Sequence, residues 1–230
     1  MKQKQKPTHS ACTVVATAHT LRGLRLAASL RLRSGVDVVE VRLDHLATQE
    51  STVARELTKI ALPLLITARH PSEGGTNRLS LPRRRALLQR FLPAASMIDV
   101  EIRSARSLQG VLREAAQRGI TRILSFHDFD RTPARHHLAA KIRDGRKLGA
   151  DIVKLATKLR GPADLANLLS IQAESKEGVA TMGMGPLGKV SRLVLPSAGS
   201  LLVYGYLDRP QVEGQWPAEE VALRLREVMV

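Results

Sequence analysis

At 230 residues and 43% apolar content, the chain can bury one substantial core, but it has no apolar run near the ~20 residues a membrane helix needs. Cys12 is the only cysteine, which excludes an intramolecular disulfide and a cysteine-rich zinc site and fits a reducing, cytoplasmic setting. The net charge of +15 fits a small anionic substrate, nucleic acid or a compositional bias toward arginine, although 3% aromatics leaves few stacking platforms for a nucleic-acid binder.

The first ten residues, MKQKQKPTHS, read as a flexible basic tail. From residue 11 onward, short β-branched or aliphatic runs alternate with segments of helical apolar spacing. The expected strands are 13–18, 36–43, 63–68, 96–102, 120–126, 151–156, 178–183 and 200–205. Helices are expected near 21–34, 50–60, 80–91, 105–118, 134–148, 162–174, 187–194 and 217–228. Gly35 and Gly119 stand as helix stops, and Pro133, Pro162 and Pro217 stand where helices begin. The basic triplet Arg83, Arg84 and Arg85 reads as a solvated helix face.

Eight βα units in this length predict a single-domain (β/α)₈ TIM barrel over residues 11–230, slightly under the ~250 residues typical of that α/β fold. A doubly wound sheet is the alternative, but no Gly-x-Gly-x-x-Gly turn follows the first strand.

Lys154 lies inside the apolar run DIVKLA, where burial would draw its amine toward the neutral, nucleophilic form. His127 ends the run ILSFH and supplies a base. Each has a plain alternative: an edge-strand lysine with its head group in solvent, and a histidine bonded to the following turn. A barrel gathers active-site groups at the C-terminal ends of its strands, and polar residues collect there. They are Glu40, Arg42 and Asp44 along the second strand, Arg69 after the third, Glu73 in the loop ARHPSEGG, and Asp99 and Glu101 on the fourth. Ser191 and Arg192 follow the seventh. Glu40 with Arg42 also reads as an interior ion pair, and Glu73 as a solvated loop carboxylate; convergence from several strand ends favours a site over that reading.

The ordered motifs Glu40-x-Arg42-x-Asp44, Thr67-x-Arg69, Glu73-Gly74-Gly75, Ser125-x-His127-Asp128-Phe129, Asp151-x-x-Lys154, Gly188-x-x-Ser191-Arg192 and Gly214-Gln215 resemble the type I 3-dehydroquinate dehydratase family of the shikimate pathway. The resemblance implies a lyase that converts 3-dehydroquinate to 3-dehydroshikimate without metal or organic cofactor. It implies Lys154 as the imine-forming amine, His127 as general acid and base, and Glu73 as its orienting carboxylate. It also implies that Arg192 binds the substrate carboxylate, that Glu40, Arg42 and Arg69 hold ring hydroxyls or orient one another, and that Gln215 belongs to a closing loop. Four residues before that glutamine the family generally carries a small residue, whereas this chain has Gln211. The expected assembly is a homodimer with no membrane association. The rival readings are another lysine-dependent aldolase-type barrel and, from charge alone, a basic nucleic-acid-binding protein.

Overall fold

The computed structural model describes residues 12–30, 34–175 and 178–229; the expected tail at 1–10 lies outside them. Eight parallel strands follow one another around the sheet: β1 (Thr13–Ala18), β2 (Val38–Arg42), β3 (Leu64–Thr67), β4 (Met97–Glu101), β5 (Thr121–Asp128), β6 (Ile152–Lys158), β7 (Val179–Met184) and β8 (Leu202–Tyr206). They are separated or followed by α1 (Leu21–Ser29), α2 (Glu50–Leu57), α3 (Leu81–Phe91), α4 (Gln109–Gln117), α5 (Arg135–Lys147), α6 (Pro162–Glu174), α7 (Gly188–Ser197) and α8 (Ala218–Val228). This is the expected (β/α)₈ barrel. Sheet order closes β1 onto β8, so the ladder runs from β8 through β1 to β7, and β7 meets β8 across a looser seam. There Leu201 N–H donates to Val179 O at 3.2 Å, and Ser200 Oγ accepts from Thr181 N–H at 2.9 Å.

Strand alternation sorts the core into two layers. Val15, Val38, Leu65, Ile123, Ala180 and Leu202 pack together inside the barrel. The opposite strand faces meet the helices through residues such as Val39, Ile66, Ile98 and Leu124. Every strand therefore carries buried residues on both faces, as a helix-wrapped parallel sheet requires.

The helix limits depart from expectation where local chemistry intervenes. Thr20 Oγ1 caps α1 by accepting from Gly23 N–H at 2.9 Å, but the helix ends at Ser29 because Leu30 turns to an extended conformation. Gly35, with φ of 79°, lies in the approach to β2. Gly119 does stop α4: its N–H donates to Ala116 O and that of Ile120 to Ala115 O, a left-handed glycine closure. Pro162 opens α6 and Pro217 caps α8, whereas Pro133 precedes the start of α5 at Arg135.

Arg84 corrects the reading of the arginine triplet. It shares the buried face of α3 with Leu87, Leu88 and Phe91, because positions three, four and seven apart fall on one side of a helix. Only 1% exposed, it donates from Nε to Ala68 O at 2.7 Å and from Nη1 to Ser104 Oγ at 3.1 Å, and it ion-pairs with Glu101.

Candidate active site

A cavity of about 440 Å³ opens at the C-terminal mouth of the barrel. Glu40, Arg42, Arg69, Glu73, His127, Lys154, Arg192 and Gln215 all line it, whereas Asp44, Asp99, Glu101 and Ser191, which the sequence also put forward, do not. Asp99 lies beneath them as the hub of a buried network. Arg69 grips it with two parallel bonds of 2.9 Å, and Ser125 Oγ donates to it at 2.6 Å. Arg69 also donates to Glu101 at 3.2 Å, which in turn accepts from His70 N–H at 2.8 Å. Arg69 is thereby fixed by the protein itself.

Lys154 Nζ donates to the same Asp99 at 3.2 Å and stands 3.9 Å from the centre of the Tyr204 ring. Only 4% of the residue is exposed, so the solvent alternative is excluded. Burial lowers the lysine pKa against the pull of Asp99, and the Arg69 cation lowers it further. Because two guanidinium bonds already engage Asp99, its carboxylate holds the ammonium less firmly than a free one would.

Glu73 reaches the barrel from the loop after β3, in a single 3₁₀ turn at Pro71–Glu73. The two following glycines make that turn possible. Gly74 has φ of 81° and packs on Phe129, while a Cβ on Gly75 would lie 2.2 Å from Arg69 O. The carboxylate accepts from His127 N–H at 3.0 Å, and the same oxygen lies 3.1 Å from His127 Nδ1. A carboxylate partner assigns the proton to Nδ1 and leaves Nε2 as the basic nitrogen. Burial, then Arg69 and Lys154, keep His127 well below its ordinary pKa. Burial and the neighbouring Glu101 push Glu73 up to about 7.

On β2 and its loop, Glu40 accepts hydroxyl bonds from Thr17 at 3.0 Å and Thr67 at 2.8 Å. Arg42 instead pairs in two places with Asp44, at 3.0 and 2.9 Å, so the interior Glu40–Arg42 pair does not form. Arg192 rises from α7, one residue after Ser191, whose Oγ holds the start of that helix through Gly183 N–H at 3.1 Å and Gly188 O at 2.8 Å. Arg192 is 2% exposed and, among the described residues, donates to carbonyls alone: Nε to Tyr204 O, and Nη1 to Gly183, Gly188 and Gly214. Desolvation lowers its pKa to about 10, and no carboxylate among the described residues balances it. A buried guanidinium of this kind keeps its charge available to pair with an anion.

The loop after β8 lines one side of the cavity with Arg209, Pro210, Gln211, Val212 and Gln215. Gln215 Oε1 accepts from Gln211 N–H at 2.6 Å, and Gln211 Oε1 accepts from Arg42 Nη1 at 3.0 Å, which ties the loop to β2. Sequence reasoning missed His19, His45, Tyr204 and Arg209, which also line the cavity. The signal for Tyr204 was its place two residues beyond inward-facing Leu202 on β8. His19 and His45 sit at the mouth with ring centres 5.1 Å apart, and burial lowers the His45 pKa to about 4. No group of three or more His, Cys, Asp or Glu able to hold a metal ion occurs among the described residues.

Comparison with known proteins points the same way. A family model for type I 3-dehydroquinase matches residues 11–228. A 3-dehydroquinate dehydratase of Methanocella arvoryzae is 37% identical over 193 residues, covering 84% of this chain and 87% of the relative. One from Klebsiella pneumoniae subsp. pneumoniae is 33% identical over 212 residues, covering 85% and 82%. The crystal structure of the Geobacillus kaustophilus 3-dehydroquinate dehydratase superposes with a TM-score of 0.84 at 26% identity, over 96% of this chain and 92% of that one.

Proposed function

The chain belongs to the type I 3-dehydroquinase family, and from that premise we propose how its barrel-mouth cavity dehydrates 3-dehydroquinate to 3-dehydroshikimate. The reading rests on one observation above all: a buried lysine amine and a carboxylate-held imidazole face the same cavity.

Neutral Lys154 adds to the C3 ketone, and loss of water leaves an imine on Nζ. The imine withdraws electrons from C2, so the hydrogen there becomes acidic enough for His127 Nε2 to remove. The C2 electron pair forms the new double bond as the C1 hydroxyl departs with the proton that His127 returns. Water then hydrolyses the imine and frees Lys154. Glu73 keeps His127 in the tautomer that exposes Nε2, while Arg192 binds the substrate carboxylate, with Gln215 closing over it. Glu40, Arg42 and Arg69 hold ring hydroxyls or, as Arg69 does for Asp99, set the positions of their neighbours.

The same reading takes residues 11–230 as one catalytic domain that works as a cytoplasmic homodimer; light scattering giving a one-chain mass would overturn the dimer. The mechanism is tested by borohydride reduction of the protein mixed with 3-dehydroquinate, followed by mass mapping. An adduct on Lys154 is expected. Turnover with no adduct, or an adduct mainly on Lys158, would refute the assignment.

A further inference from the structure

The loop after β8 is anchored at both flanks and at its tip. Thr20 Oγ1 donates to Asp208 at 2.6 Å on one flank, and Gly185 N–H donates to Glu213 O at 3.1 Å on the other. Between them the tip meets the opposite rim through the Gln211 carboxamide, whose Oε1 accepts from Arg42 Nη1 at 3.0 Å while its Nε2 lies 3.4 Å from His45 Nε2. Arg42 is a firm anchor, because Asp44 engages its Nε and Nη2, and Nη2 also donates to Gly74 O at 3.1 Å. The loop after β2, the Glu73 turn and the loop after β8 thus share one guanidinium, on a residue only 8% exposed.

What this anchor places is Gln215. Its Oε1 accepts from the N–H of Gln211 at 2.6 Å and from that of Val212 at 3.4 Å. Two backbone donors meeting one atom identify it as the carbonyl oxygen, so the amino group, with its two N–H donors, is left to serve a substrate oxygen. Gln215 is 9% exposed and lines the cavity. We propose that Gln211 is a positioning residue for the dehydration: by binding Arg42 it fixes the loop tip, and through the backbone of residues 211 and 212 it fixes the Gln215 carboxamide in the cavity. This rests on the substrate role proposed for Gln215. An unanchored tip would have to be ordered by the substrate itself, and apparent affinity falls with the fraction of chains in which the tip is in place. The effect therefore belongs to binding rather than to the proton transfers at His127.

Gln211→Ala and Gln211→Glu test this, since glutamate keeps an acceptor for Arg42 and alanine does not. In the free enzyme, hydrogen exchange over residues 207–216 should quicken in Gln211→Ala by up to roughly 100-fold, the ceiling set by one hydrogen bond to a charged group, and return to the parent's rate or below it in Gln211→Glu. KM for 3-dehydroquinate should rise in Gln211→Ala by at most the same factor, with kcat little changed. Exchange equal to the parent's in the alanine variant would overturn the proposal, and so would exchange as fast in the glutamate variant as in the alanine one. Gln215→Ala, measured beside them, separates the positioning role from the reading beneath it. A raised KM there, with a parent-like KM in Gln211→Ala, overturns the positioning role alone; a parent-like KM in Gln215→Ala overturns the substrate role of Gln215 and the positioning role with it.

Discussion

Glu73 holds its proton more tightly in the folded chain than in the unfolded one, because burial and Glu101 raise its pKa from 4.5 to about 7. The stability this provides is complete below the unfolded pKa and is lost as pH rises through the folded one. Glu73→Gln is neutral throughout and escapes that loss. Its unfolding free energy relative to the parent should therefore increase by roughly 3 kcal/mol between pH 4 and pH 8, with urea titrations at both pH values as the measurement. A constant difference would show an unperturbed carboxyl. His127 titrates in the opposite sense, but it is present in both proteins. For His127→Ala we expect imine trapping to persist while dehydration falls ~10²- to 10⁴-fold; a loss under about tenfold in steady-state turnover would remove it as the principal base. Lys154 and His127 were legible in the sequence because each carries chemistry in a strand context. Arg84 and Tyr204 were not: helix rotation buries one, and the other meets the Lys154 amine only once the barrel closes.

Among the elements, α7 and the loop after β8 act as a unit, joined by the Arg192 guanidinium. Gly214, with φ of 80°, packs so closely that a Cβ there would lie 2.6 Å from Gly185 O, and its carbonyl accepts from Arg192 Nη1 at 2.6 Å. Lysine at position 192 would keep the charge but could not serve those carbonyls and a bound carboxylate together. Arg192→Lys should lower kcat/KM about 10- to 100-fold, the value of one charge-assisted hydrogen bond. Kinetics equal to the parent's would mean that the substrate carboxylate is held elsewhere. Strand and helix order was legible from periodicity alone, yet β5 and β6 each run two residues beyond their expected ends, to Asp128 and Lys158. Those extensions pair His127 with Ala156 and Asp128 with Thr157, a tertiary gain that no local window contains. The Gln211 bond to Arg42 was equally hidden, because it joins residues 169 positions apart.

For the whole molecule, the decisive step is closure of the barrel, since residues from β2 to β8 meet only if the sheet curls onto itself. Seven of the eight strand interfaces carry regular parallel ladders, from β8 through β1 to β7, and the last depends on a side chain. Ser200, 1% exposed, accepts from Thr181 N–H at 2.9 Å while its hydroxyl faces Thr181 O at 3.1 Å, so one side chain bridges the donor and the acceptor of a single residue on β7. Alanine would leave that buried N–H without an acceptor, at ~1–3 kcal/mol. In a domain of this size each kcal/mol moves the melting temperature by ~2–4 °C. Ser200→Ala should therefore melt roughly 2–12 °C below the parent by calorimetry. Well below that temperature, turnover should change little, because Ser200 does not line the cavity. An unchanged melting temperature would show that the Leu201–Val179 backbone bond holds the seam by itself. A loss of turnover in the folded protein would show instead that the seam sets the position of Tyr204, four residues farther along, and through it the amine of Lys154.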